Sequence, residues 1–151
     1  AWVDHNISLL NEADIAYLEQ LPETLTFSAD GYDYALTHIY DQYREIKSLQ
    51  QYEEFRQTRF EGAPYTRLIF GHTHRQGIRH LSDDLLWANP GSVSYRRPDD
   101  LDQTAHYATI TDGALSLCRI SYDHSVLFEI TQGLKLNENE RKHQWAWAPR
   151  S

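Results

Sequence analysis

His72 and His74 stand at positions i and i+2 around Thr73, immediately after Gly71. Two imidazoles at that spacing reach toward one side only where the backbone bends, and Gly71 is the residue expected to permit the bend. Neutral imidazole is a good ligand for zinc, iron, nickel or copper, and its second ring nitrogen needs an acceptor that fixes the tautomer. His38 offers a third ring where a β-rich stretch ends, and α/β sheets commonly build their sites from strand ends. One divalent ion on His38, His72 and His74, completed by water, has the three-ligand composition of a catalytic zinc centre. Any one of the eight histidines is more often a surface or core residue than a ligand, so order and context must carry the reading.

The elements around these residues follow from local pattern. Asn11 is placed to cap a helix over residues 12–21, where Ile15, Leu18 and Leu21 recur at helical spacing and Pro22 follows the end. Residues 24–28 and 32–37 are β-rich, and Ala29-Asp30-Gly31 between them signals a hairpin that leaves His38 at the end of its second strand. Residues 48–60 carry Leu49, Tyr52, Phe55 and Phe60 among polar residues, which predicts an amphipathic helix ended by Gly62-Ala63-Pro64. The apolar run 66–70 predicts a buried strand that feeds directly into the paired histidines. Segments 76–81, 85–88, 106–111 and 114–122 alternate with turn residues, Asn89-Pro90-Gly91 and Asp112-Gly113 among them, and predict an antiparallel meander. A short helix over 125–131 and a polar tail follow, so 123–151 is a C-terminal helix and tail of one domain.

Composition narrows the function classes. Ten Tyr and four Trp within 13% aromatic content exclude a disordered chain. Acidic residues number 22 against 14 basic, giving a formal charge of -8, and the basic residues are scattered, so no nucleic-acid polymer is expected as a partner. Cys118 is the only cysteine, read as a small buried hydrophobe; it allows no intrachain disulfide and suits a reducing, cytoplasmic location. No apolar run approaches the roughly 18 residues of a membrane span, so no membrane association is expected.

The string Ile69-Phe70-Gly71-His72-Thr73-His74, followed about fifteen residues later by Asn89-Pro90-Gly91-Ser92-Val93-Ser94, resembles two paired signatures of the calcineurin-like metallophosphoesterases. The likeness is to their small prokaryotic phosphodiesterase branch, with Leu36-Thr37-His38 similar to the preceding strand-end histidine, and it spans residues 11–122. The resemblance implies the C-terminal half of a four-layer α/β/β/α sandwich with mixed and antiparallel strands, an incomplete domain over 1–151. It implies a hydrolase acting on a phosphomonoester or phosphodiester substrate through a hydroxide bridging two metals, drawn from manganese, iron, zinc or nickel. His38 and His72 would hold the second metal and His74 the first, with residues 89–94 as the turn supporting the histidine loop.

The family's Asp-x-His, Gly-Asp and Gly-Asn-His segments do not occur ahead of the first predicted helix; Asp4-His5-Asn6 has suitable residue types in the wrong order. No catalytic residue is therefore assigned. Three neutral imidazoles leave the repulsion of two neighbouring dications uncompensated, so this chain alone is expected to hold one ion or none and to be inactive by itself. Bare sheet edges and apolar faces predict a homo-oligomer, or complementation by a missing N-terminal half. The rival class is a non-catalytic interaction scaffold of the same fold. Arg75, Arg96 and Arg97 are near the signatures and could meet phosphate, Trp145 and Trp147 seek apolar cover, and His80, His106, His124 and His143 match no motif.

Overall fold

A computed structural model describes residues 2–38, 44–63, 65–93, 102–133 and 137–138. In chain order the elements are α1 (Trp2–Leu9), α2 (Glu12–Glu19), β1 (Thr24–Ala29), β2 (Tyr32–Thr37), α3 (Leu49–Arg59), β3 (Arg67–Phe70), β4 (Gly77–His80), β5 (Leu86–Asn89), β6 (Ala105–Thr111), β7 (Ala114–Ile120) and α4 (Ser125–Gly133). They divide into two compact units, one carrying α1, α2 and α4, the other formed by Glu23–Arg96 with Asp100–Tyr122.

In the helical unit, α2 begins as its sequence dictates. The Asn11 side chain accepts from the Asp14 amide at 3.0 Å while the Asp14 carboxylate accepts from the Asn11 amide at 3.1 Å, a reciprocal capping box. Helix α1 was not expected; Val3, Ile7 and Leu10 do recur at helical spacing.

The second unit is built on a five-stranded sheet of order β1-β2-β3-β5-β4 and a separate two-stranded sheet, β6-β7. Strands β2, β3 and β5 are parallel neighbours, and β1 and β4 close the edges antiparallel. All four residues of β3 and all four of β5 are buried, which is why these segments read as unbroken runs rather than alternating ones. Ser48 caps α3 by accepting from the Gln51 amide at 3.2 Å. Tyr52 and Phe55 then meet Ala35, Leu68, Phe70 and Trp87 of the sheet, with Ile46 completing the core. Phe55 packs 4.9 Å from Phe70 between ring centres, and the Tyr52 hydroxyl donates to the Tyr65 carbonyl at 2.5 Å, joining the helix to the entry of β3.

One expectation is corrected. Residues 76–122 are not a single meander, since β5 joins β3 in parallel and has no pairing with β6. Asn89-Pro90-Gly91 does not close a hairpin; the Asn89 Nδ2 is committed to the loop after β3 and its Oδ1 to the Gly91 amide. Cys118 is half-buried rather than buried. Pro64, Ser94, Arg96, Arg97, His143, Trp145 and Trp147 lie outside the described residues, as does the tail beyond 138.

Candidate metal centre

Parallel pairing sets Thr37 beside Phe70 and Ile69 beside Ala88. The C-terminal ends of β2, β3 and β5 therefore lie in a row, and His38, the Gly71–His74 loop and the Pro90-Gly91 turn leave the sheet side by side. The His38 and His72 rings come together with centres 6.1 Å apart and planes at 73°. The Gly71 amide donates to the Thr37 carbonyl at 3.0 Å, which holds the start of the loop against the end of β2.

Gly71 serves a different purpose from the one its sequence context suggests. A Cβ there would lie 3.1 Å from the His38 carbonyl oxygen and 3.2 Å from its Nδ1, so the missing side chain makes room for His38. The bend falls on the histidines themselves, with φ of 66° at His72 and 59° at His74. Left-handed backbone costs a residue bearing a Cβ roughly 1–2 kcal/mol, a strain that persists only where surrounding contacts impose it.

Those contacts come from Asn89, whose side chain is wholly buried. Its Nδ2 donates to the Gly71 carbonyl and to the Thr73 hydroxyl, both at 2.9 Å, and its Oδ1 accepts from the Gly91 amide at 2.9 Å. The Thr73 amide donates to the Gly71 carbonyl at 2.8 Å, tightening the same turn.

A second layer supports the Asn89-Pro90-Gly91 turn. His106, 3% exposed, donates its amide to the Ser92 carbonyl at 3.0 Å and sets Nε2 3.2 Å from Asp102 Oδ2. That oxygen also meets Arg119 Nη1 at 2.7 Å, while Asp102 Oδ1 accepts from the Thr104 amide at 2.8 Å and hydroxyl at 2.6 Å. Sequence reading gave His106 no role and passed over Asp102. The one local signal was a carboxylate four residues ahead of a histidine at a strand entrance.

Burial by itself pushes the Asp102 carboxyl up. The Thr104 hydroxyl and amide, the His106 ring and the Arg119 charge outweigh it and hold the carboxyl well below its usual range. A carboxyl depressed below its unfolded value of about 3.9 contributes stability that is complete above that pH and is lost as pH falls through the folded value. The urea-midpoint difference between wild type and Asp102→Asn should thus stay level from about pH 7 to about pH 5 and shrink below about pH 4. A difference that widened on acidification would contradict this account.

The fit to a metal can be judged from the rings. With nitrogen about 2.1 Å from zinc, two imidazoles on one ion have centres roughly 5–6 Å apart, and the His38–His72 pair stands just beyond that span. Both side chains are exposed and His74 is half-buried in the same loop. Among the described residues, no three His, Cys, Asp or Glu side chains form a metal-holding group. To share one ion the two rings must draw slightly closer, and further ligands must come from elsewhere. Arg75 and His80 are exposed, and His124 is half-buried in the helical unit.

A metallophosphoesterase from Sphaerobacter thermophilus has this fold, with a TM-score of 0.64 and 17% identity over 93% of this chain and 64% of that one. A hypothetical protein from Pyrococcus horikoshii matches with a TM-score of 0.68 and 16% identity over 95% of this chain and 57% of that one. At such identities the likeness is one of fold, and this chain spans less than two thirds of either length. A search of curated proteins found no significant match. Residues 4–113 match the calcineurin-like phosphoesterase superfamily domain, and the chain belongs to that superfamily. Among the described residues, no helix is long and apolar enough to cross a membrane.

Proposed function

We propose that this chain contributes the histidine half of a phosphoesterase site that hydrolyses a phosphomonoester or phosphodiester. The observation that carries the reading is the convergence of the His38 and His72 rings at the ends of two adjacent parallel strands, 6.1 Å between centres. His38 and His72 would hold one divalent ion, and His74, from the same loop, would reach a neighbouring one. Iron, zinc and nickel suit imidazole donors, and manganese suits a site completed by carboxylate or water ligands. When bound, such an ion supplies Lewis-acid activation of water and offsets charge on phosphate oxygens.

The chain's own part is positional. Asn89 fixes the loop, Gly71 clears space for His38, and the strained backbone at His72 and His74 aims their rings. Imidazoles bring no negative charge, so the remaining ligands are proposed to come from a complementing N-terminal half or a second copy of the chain. The single cysteine favours a cytoplasmic setting.

The test is metal content after dialysis against manganese, together with hydrolysis of bis(4-nitrophenyl) phosphate. Wild type is expected to retain the ion, with His38→Ala and His72→Ala each weakening retention at least about tenfold, and turnover is expected only in the complemented site, where His74→Ala abolishes it. A folded wild type that retains no more manganese than the His38→Ala/His72→Ala double variant would overturn the reading and leave the non-catalytic scaffold standing.

A further inference from the structure

We propose that Gln76 is a positioning residue for the histidine loop, clamping its exit as Asn89 clamps its entry; the metal-binding consequence rests on the reading above. Gln76 lies two residues beyond His74, at the threshold of β4. Its Nε2 donates to the carbonyls of Cys118 at 2.9 Å, Pro90 at 3.2 Å and Tyr107 at 3.3 Å. Its Oε1 accepts from Arg119 Nε at 2.9 Å.

The amide has no freedom to flip. Arginine offers donors only and the three carbonyls accept only, so one orientation suits all four partners, with the two Nε2 hydrogens shared among three carbonyls, and the reverse suits none. Arg119 is held in turn by Asp102, at 2.7 Å. Tyr107 and Cys118 face each other across β6 and β7, so one side chain joins the loop's exit to both strands of that hairpin and to the turn after β5. The Gln76 Cγ also fills the space beneath Gly91, 2.8 Å from where a Cβ on that glycine would stand.

The consequence falls on His74. Its left-handed backbone, φ 59°, is disfavoured without outside constraint, and Gln76, two residues on, anchors the chain that leaves it. A plain structural tie between β4 and the hairpin would leave the loop's order and its metal affinity untouched, whereas a positioning role would change both.

The experiment uses the full chain, metal-free, with backbone 15N order parameters measured for residues 72–75, followed by titration with Co2+ read by visible absorption. Gln76→Met keeps the length of the side chain and removes its hydrogen bonds. Order parameters at 72–75 are expected to fall from about 0.85 to below about 0.6, those in β3 to hold, and Co2+ affinity to drop about tenfold. Arg119→Met, on an exposed side chain, frees the Oε1 end of Gln76 and the Asp102 ion pair but keeps the Nε2 bonds, so it should loosen the same residues less, which keeps the proposal testable if Gln76→Met fails to fold. Wild-type order at 72–75 in both variants overturns the proposal whether or not Co2+ binds. Loss of order in a protein whose wild type binds no Co2+ supports Gln76 as the clamp and sinks the metal reading separately.

Discussion

Gly91→Ala is expected to destabilise the protein by roughly 2–5 kcal/mol, the sum of left-handed backbone strain and overpacking. Gly91 has φ of 83°, and a Cβ there would be 2.6 Å from His106 Cβ and 2.8 Å from both His106 Nδ1 and Gln76 Cγ. None of these can move aside cheaply. His106 is buried and bonded through its backbone and ring, and the Gln76 side chain is pinned at its far end by four hydrogen bonds. Gly31 provides the control, with φ of 81° and nothing within 4 Å of its would-be Cβ. Gly31→Ala should show the backbone cost alone, about 1–2 kcal/mol. Equal urea midpoints for the two variants would refute the packing argument.

Asn89→Leu is expected to cost about 3–5 kcal/mol and to release the loop. Leucine keeps the branched shape of asparagine but is larger, so no cavity forms; hydrogen bonding is lost at a wholly buried position and some overpacking is added. The Thr73 hydroxyl and the Gly91 amide lose the Asn89 bond and the Gly71 carbonyl keeps only its bond from Thr73, and each buried group left unpaired costs about 1–3 kcal/mol. Asn89→Asp should rescue the acceptor to Gly91 while setting a carboxylate oxygen against the Gly71 carbonyl, so it should remain clearly below wild type. Chemical denaturation measures both, and an Asn89→Leu protein within about 1 kcal/mol of wild type would show that the loop is held elsewhere.

Much of the local structure was legible because its causes are local. Ser48 caps α3, Asn11 and Asp14 cap α2 reciprocally, and Asp30-Gly31 turns β1 into β2, each within three or four residues. The run at β3 was readable as a buried strand because all-round burial removes alternation. The misreading of 76–122 as one meander has an equally physical cause. A strand's own residues specify that it pairs, whereas parallel or antiparallel choice of partner depends on segments far along the chain.

The candidate site divides in the same way. His72 and His74 stood out as a pair, and resemblance to a phosphoesterase family marked His38 with them, because donor chemistry and loop residues are written in the chain itself. That His38 and His72 meet follows from the parallel register of β2 and β3. That Gly71 serves as clearance while the histidines take the bend, and that Asp102, His106, Gln76 and Arg119 brace the turn from behind, was decided by tertiary structure alone. The Gln76 bonds join positions 14 to 43 residues apart, and no short-range pattern encodes them. The sequence by itself determined which groups were available to bind; packing of distant backbone determined where they point, since aiming a ring requires walls that the ring's own neighbours do not provide.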